Sequence, residues 1–187
     1  MKSHLRQQIK TKRQQMLPME VQQKSHDIIN RLQESDLYKS SCTILFYVSY
    51  NNEVSTHTFI QQALKAQKKV IVPCSNIRDS TLSLFILTQW LQLEHGAYSI
   101  LEPKKTCISF SSLDILDLVL VPGVVFDIKG NRIGHGKGYY DRLLQKVTAP
   151  RIGLAYDFQV VDTIPADPHD QKVDYIITES RSIKCKN

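Results

Sequence analysis

The apolar pattern at the start of the chain predicts two helices. Residues 3–15 place Leu5 and Ile9 on one side of a helix. Pro18 suits the first turn of a second helix, which we expect to run to about residue 33. Two helices therefore precede the first predicted strand.

Strand and helix patterns then alternate. Residues 43–48 form an apolar, β-branched run typical of a strand, Ser55 or Thr56 can cap the helix that follows, and residues 69–72 predict a second strand. Further strands are predicted at residues 82–87, 118–121, 151–155 and 175–178, with a helix at residues 139–147. Because the two patterns interleave, we expect one α/β domain over residues 1–187, a three-layer αβα fold with a mostly parallel central sheet.

A glycine-rich stretch carries the clearest chemical signal. Residues 130–141 read GNRIGHGKGYYD and hold four of the seven glycines. Glycines two apart let successive backbone N–H groups converge on phosphate oxygens, and Arg132 and Lys137 add positive charge. Asp141 would then lie in the first turn of the next helix, where a carboxylate can hold Mg²⁺ on the phosphates.

The stretch fits neither common phosphate motif. Lys137 is followed by Gly138, where a P-loop needs Ser or Thr, and Tyr139 stands where the third glycine of a dinucleotide fingerprint belongs. On spacing alone, a solvated glycine-rich turn is an equally good interpretation.

Charge and cysteine usage restrict the function further. The formal net charge is +6, and cations concentrate near the amino terminus and in the glycine-rich stretch, without an aromatic-interleaved basic stripe. An anionic small molecule is therefore favoured over nucleic acid. Four widely spaced cysteines argue against zinc or redox chemistry, and neither a membrane span nor a secretory signal is evident, so a cytoplasmic protein is expected.

Two long segments resemble a known family. Residues 121–127 (VPGVVFD) and 130–142 (GNRIGHGKGYYDR) are similar to the signature of the 5-formyltetrahydrofolate cyclo-ligases, also called methenyltetrahydrofolate synthetases. Residues 2–6 (KSHLR), 152–156 (IGLAY), 164–165, 169–170 and 173–178 (VDYIIT) extend the resemblance over nearly the whole chain.

The resemblance implies two substrate sites and a metal. The ATP-binding residues it implies are Lys2, Ser3, His4, Leu5, Arg6, Arg132, Ile133, Gly134, His135, Gly136, Lys137, Gly138, Tyr139 and Tyr140. The folate-binding residues it implies are Val48, Glu53, His135, Gly136, Lys137, Gly138 and Tyr139. Arg132 and Lys137 are expected to be catalytic, and Asp141 and Asp170 to hold Mg²⁺. Lys10 and Arg13 are interpreted as surface charges.

The activity implied by the resemblance is ATP-driven cyclisation of 5-formyltetrahydrofolate to 5,10-methenyltetrahydrofolate through a phosphorylated formyl group. We expect a monomer that acts on a reduced folate and ATP, with no nucleic acid or membrane partner. Two alternatives stay open: another ATP-dependent phosphoryl-transfer or ligase enzyme that ignores folates, and a basic nucleic-acid-binding module whose affinity falls steeply with salt.

Overall fold

The computed structural model describes residues 1–96 and 100–186. Its α-helices are α1 (Lys2–Gln14), α2 (Pro18–Glu34), α3 (Asp36–Ser40), α4 (His57–Lys65) and α5 (Tyr139–Leu144). Its strands are β1 (Thr43–Leu45), β2 (Lys69–Asn76), β3 (Thr81–Leu87), β4 (Leu93–His95), β5 (Leu101–Pro103), β6 (Ile108–Phe110), β7 (Leu118–Val121), β8 (Val125–Asp127), β9 (Arg132–Ile133), β10 (Arg151–Leu154), β11 (Val160–Val161), β12 (Tyr175–Ile177) and β13 (Ser182–Lys184).

An eight-stranded sheet in the order β13-β12-β10-β7-β1-β2-β3-β6 forms the middle layer. Its five central strands, from β12 to β2, pair in parallel, whereas the outer pairings β13–β12, β2–β3 and β3–β6 are antiparallel. Helices α1 and α2 precede β1 as expected. The α/β fold with a mostly parallel sheet and two leading helices is therefore confirmed.

Side chains on the central strands alternate between two cores. Ile44 and Leu118 belong to the core that includes Leu32 of α2, while Leu45 and Val119 belong to the core that includes Leu144 of α5. This period of two places helices on opposite faces of the sheet.

Several element boundaries differ from the sequence predictions. The first strand was predicted to reach residue 48 but ends at Leu45, because Tyr47 and Ser49 bond instead to Thr56: Thr56 Oγ1 donates to Tyr47 O at 2.7 Å, and Ser49 N donates to Thr56 Oγ1 at 3.1 Å. The helix predicted over residues 139–147 ends at Leu144. The short helix α3 and the β4–β5 hairpin were not predicted at all.

Helix α1 packs outside the main sheet. Leu5 and Ile9 contact the small apolar cluster of Val124, Val125, Ile133 and Ile164, which belongs to the three-stranded sheet β11-β8-β9 and the segment after it. The apolar side of α1 is thus occupied, and its cationic side is left to face the cleft described below. Among the described helices, none is both long and apolar enough to cross a membrane.

Candidate functional site

A cleft of about 820 Å³ opens at the edge of the sheet where the parallel strands end. Ligands of open α/β sheets commonly bind at the carboxyl ends of the strands. The wall residues come from α1, the segments after β1 and β7, strands β2, β3, β5 and β9, the glycine-rich stretch, α5, and the loop that holds Asp167, His169 and Asp170. The site-forming segments are therefore far apart in sequence and meet only in the fold.

The glycine-rich stretch is held at both of its ends. The carboxylate of Asp127, fully buried, accepts the backbone N–H groups of Lys129 at 2.9 Å, Asn131 at 3.0 Å and Ile164 at 2.9 Å, which fixes the turn before the stretch. At the other end, Arg142 Nη2 donates to Lys137 O. The backbone between these points is fixed while its tip faces the cleft.

Two glycines shape the tip of this stretch. Gly136 has φ +102° and Gly138 has φ +69°, values that L side chains rarely adopt. Arg6 Nε donates to Gly134 O at 2.9 Å and so ties the stretch to α1. The Lys137 side chain is exposed at the wall of the cleft.

Helix α1 presents a row of cations to the cleft. Lys2, Arg6 and Lys10 line it, as the i, i+4, i+8 spacing of one helical face requires. Ser3 and His4 are exposed and lie outside the cleft lining, and Leu5 packs in the apolar cluster under the helix. The structure thus brings two of the five residues expected here to the cleft, and it adds Lys10, which sequence analysis interpreted as a surface charge.

At the opposite wall lies Glu53, only 5% exposed. Its Oε2 accepts the backbone N–H of Tyr50 at 3.1 Å, and its Oε1 accepts from His135 Nε2 at 3.0 Å. The other ring nitrogen of His135, Nδ1, lies 3.2 Å from the Tyr50 hydroxyl, within hydrogen-bond distance. Val48, 6% exposed, lines the same wall, so both residues expected there do reach the cleft.

The Arg13 guanidinium also lies near Glu53. Its Nη1 lies 4.0 Å from Glu53 Oε1, and its side chain is 4% exposed, so its interpretation as a surface charge was wrong. Burial, together with the charge of Glu53, raises the pKa values of the nearby Tyr47 and Tyr50 hydroxyls, which therefore remain hydrogen-bond donors.

The two acids expected to hold a metal lie on one wall. Asp141 Oδ1 accepts from Arg132 Nη2 at 2.7 Å and from the backbone N–H of Gln171 at 3.2 Å, which brings Asp141 beside the segment that carries Asp170. Lys2 Nζ donates to Asp170 Oδ2, and also to Asp167 Oδ2 at 2.7 Å. Each acid is thus paired with a cation of the protein.

Arg132 and Tyr140 form the buried floor between these groups. The Arg132 side chain is 3% exposed and lies over the Tyr140 ring, 6.0 Å from its centre. Burial lowers the pKa of Arg132 below its ordinary value, although the charge of Asp141 works in the opposite direction. Within the described residues, Arg132 Nε and the Tyr140 hydroxyl are buried without a hydrogen-bond partner. Buried polar groups normally have partners, and both of these residues line the cleft.

Sequence analysis missed Lys10, Arg13 and Tyr50. Lys10 had a detectable signal, because it continues the four-residue spacing of Lys2 and Arg6. Arg13 and Tyr50 had none, because their partners lie 40 and 85 positions away. Ile133, Gly134, Gly136, Gly138 and Tyr139 were expected in the site, and all of them line the cleft.

This arrangement, a cleft at the sheet edge with a glycine-rich wall, a cationic helix face and a buried carboxylate, is that of an α/β protein with a cleft suited to an anionic ligand. Comparison with known proteins agrees. Residues 1–179 match the model of the 5-formyltetrahydrofolate cyclo-ligase family. A protein of Caenorhabditis elegans described as a probable 5-formyltetrahydrofolate cyclo-ligase is 32% identical, over 97% of this chain and 94% of that protein.

Solved structures give the same result. The 5,10-methenyltetrahydrofolate synthetase of Aquifex aeolicus superposes with a TM-score of 0.88 at 33% identity and covers 100% of this chain and 93% of that one. The 5,10-methenyltetrahydrofolate synthetase of Mycoplasma pneumoniae gives a TM-score of 0.74 at 28% identity, over 95% and 98% of the two chains. The chain belongs to the 5-formyltetrahydrofolate cyclo-ligase family, an enzyme family.

Proposed function

We propose that this protein catalyses the ATP-dependent closure of 5-formyltetrahydrofolate to 5,10-methenyltetrahydrofolate, with release of ADP and phosphate. The observation that carries the proposal is the pairing, in one cleft, of a cationic glycine-rich wall with the buried carboxylate of Glu53. We call the first the nucleotide end (Lys2, Arg6, Lys10, Arg132, Gly134 and residues 136–138) and the second the folate end (Val48, Tyr50, Glu53 and His135).

The nucleotide end suits a polyphosphate. Lys2, Arg6 and Lys10 lie along one face of α1, opposite the glycine-rich stretch with Lys137. Cations and exposed backbone N–H groups are the donors that bind phosphate oxygens. Arg132 and Lys137 are assigned the catalytic role of stabilising charge on the transferred phosphoryl group.

The folate end suits a pterin ring. An ionised carboxylate accepts hydrogen bonds only, and the amide and amino edge of a pterin offers adjacent N–H donors. Glu53 Oε1 now accepts from His135, so a bound pterin would replace that donor. Val48 and the ring of Tyr50 supply apolar surface for the flat ring.

Asp141 and Asp170 fit a magnesium ion by their donor type. Mg²⁺ is bound through one or two carboxylates plus phosphate oxygens, and both acids line the cleft beside the nucleotide end. Asp167 and His169 have potential ligand atoms within 4.8 Å of that of Asp170. The ion would neutralise charge on the triphosphate, and Lys2 and Arg132, which now pair with the two acids, would be released toward phosphate oxygens.

The reaction needs activation of the formyl oxygen, because oxide is a poor leaving group. In the proposed sequence the formyl oxygen attacks the γ-phosphorus and ADP leaves, which gives an iminium phosphate. N10 then attacks the same carbon, loses its proton, and the C–O bond breaks to release inorganic phosphate. The site supports this route through positioning and charge neutralisation, without a protein nucleophile.

The test is absorbance at the methenyltetrahydrofolate band when the purified protein is mixed with 5-formyltetrahydrofolate, Mg²⁺ and ATP. An ATP-dependent rise is expected, with one ADP formed per methenyl product. A folded protein that binds Mg-ATP but gives no rise would reject the folate assignment and favour a different acceptor. We also propose that the protein is a cytoplasmic monomer. Size-exclusion chromatography with light scattering tests the monomeric state.

A further inference from the structure

Helix α1 touches both ends of the cleft. At its start, Lys2 pairs with Asp167 and Asp170, and Arg6 bonds to Gly134 O. At its end, the side-chain amide of Asn52 donates to the carbonyls of Arg13 at 3.1 Å and Met16 at 3.3 Å. The same helix that grips the nucleotide end therefore also anchors the turn before Glu53.

That turn determines where Glu53 points. Asn51 and Asn52 have φ of 47° and 56°, the left-handed region that asparagine tolerates better than most residues. Glu53 N donates to Tyr50 O at 3.0 Å and closes the turn, and Tyr50 N bonds back to the Glu53 carboxylate. The backbone N–H of Tyr50 thus holds Oε2 of the carboxylate. The other oxygen, Oε1, is contacted by side chains instead.

His135 and Arg13 both face Oε1, and they differ in whether their contact with it can persist when a ligand binds. His135 lies closer, at 3.0 Å, but it belongs to the glycine-rich stretch, is 28% exposed and must give up this contact if a ligand binds Glu53. Arg13 lies 4.0 Å from the same oxygen, on helix α1, and its side chain is 4% exposed. A buried carboxylate without a cation is unfavourable, so once His135 leaves, the guanidinium is the fixed charge that remains.

Arg13 itself is held by few contacts. Within residues 1–96 and 100–186, its buried Nε has no hydrogen-bond partner, and its ion pair with Glu53 is the one that its guanidinium makes. A buried guanidinium costs free energy unless it is paired, so packing alone gives no reason for an arginine here. The reason lies in Glu53.

We propose that Arg13 is a positioning residue for folate recognition, which acts through Glu53 and keeps its carboxylate charged and directed into the cleft after His135 is displaced. The inference rests on the proposed function and deepens it, because it adds a residue that does not line the cleft. It also makes α1 a part of both substrate sites.

The test is a split of the kinetic constants in Arg13→Met, with Lys12→Met as the matched control on the adjacent, exposed position of α1. Arg13→Met should raise the KM for 5-formyltetrahydrofolate about 10-fold, while the KM for ATP stays within about 2-fold, because the ion pair that is lost is the one with Glu53. Arg13→Lys, which retains the charge, should recover at least half of this loss on a logarithmic scale. Lys12→Met should change neither constant.

A double-mutant cycle separates this role from general damage to the fold. If Arg13 acts through Glu53, adding Arg13→Met to Glu53→Gln should raise the folate KM less than about 2-fold further. Additive losses, or equal losses toward ATP and folate, would overturn the proposal. Should Arg13→Met not fold, Arg13→Gln carries the same expectation, with a melting curve as the check. Failure of the wild-type protein to form methenyl product would instead reject the proposed function, which keeps the two results distinct.

Discussion

The two ends of the cleft use the same pairing of a cation with a carboxylate, but they bury it to different degrees. The Lys2 and Asp167 side chains at the nucleotide end are 24% and 57% exposed, whereas the Arg13 and Glu53 side chains at the folate end are 4% and 5% exposed. An exposed pair contributes little and exchanges partners easily, while breaking a buried pair is costly. The Lys2 pair of the nucleotide end is therefore suited to changing partners when a ligand binds, and the Arg13–Glu53 pair of the folate end to holding one arrangement.

The largest expected effect comes from removing the buried charge. Glu53→Gln should weaken binding of 5-formyltetrahydrofolate about 30- to 100-fold, because it loses the charged acceptor and leaves Arg13 unpaired. The affinity for ATP should stay within about 3-fold. Isothermal titration calorimetry with each ligand measures both, with Glu34→Gln, an exposed acid on α2, as the control. Equal losses for the two ligands would mean that the two ends are not separate.

Lys137→Ala should affect ATP binding and not folate binding, and the loss of affinity should be smaller than that expected for Glu53→Gln. Loss of one exposed cation near the phosphates should weaken ATP binding about 10-fold and leave folate binding nearly unchanged. Lys129→Ala, an exposed lysine in the turn just before the glycine-rich stretch, is the control. A folate affinity that falls as much as the ATP affinity would extend the folate end to Lys137.

Asp141→Asn tests the metal assignment at the nucleotide end. The variant should need several-fold more Mg²⁺ for half-maximal rate, because an amide oxygen is a weaker ligand than a carboxylate. The measurement is initial rate against free Mg²⁺ at fixed ATP, with the exposed Asp114→Asn as the control. An unchanged magnesium titration would remove Asp141 from the metal site.

The smallest effect is expected for Lys2→Met on stability. Exposed ion pairs contribute about 0–1 kcal/mol, so the free energy of unfolding should fall by less than about 1 kcal/mol. Although partial burial opposes it, hydrogen bonds from Lys2 and from the Asp167 backbone lower the pKa of Asp170. A carboxyl group whose pKa is lower in the folded state stabilises the fold at pH values above its unfolded-state pKa. This stabilisation is lost as the pH falls through the folded-state pKa.

The difference between wild type and Lys2→Met should accordingly be full near pH 7 and vanish in acid, below the folded pKa of Asp170. Urea unfolding at a series of pH values measures it. A difference that persists in acid would mean that Lys2 stabilises the fold through contacts other than its ion pairs.

The sequence predicted those parts of the molecule that local chemistry determines. Helices α1 and α2, the central strands and the glycine-rich stretch follow from periodicity and glycine spacing, and the four-residue spacing of Lys2 and Arg6 placed both in the cleft. The expectation for Ser3, His4 and Leu5 came from a contiguous segment of the resemblance, whereas a helix turns consecutive residues to different sides. A three-residue strand such as β6 is defined by its pairing with β3, a strand well separated from it in sequence, which no local pattern encodes.

Arg13 shows the limit most clearly. An arginine on the polar side of an amphipathic helix has the sequence signature of a solvated charge, and only the fold places Glu53 against it. Asp141, in contrast, was predicted as a magnesium ligand from its place after the glycine-rich stretch and Asp170 from the resemblance, and the structure places their segments side by side through the bond from Gln171 N to Asp141.

The position of α1 in the chain also has a consequence for the order of assembly. It is synthesised before the segments that it contacts, because its side chains bond to residues 128, 165 and 168 positions further on. Contacts this distant in sequence form late, because the whole intervening chain must first be synthesised and ordered. Helix α1 is therefore made before its partners and docked late, so the cleft is completed only after Asp167 and Asp170 have been translated.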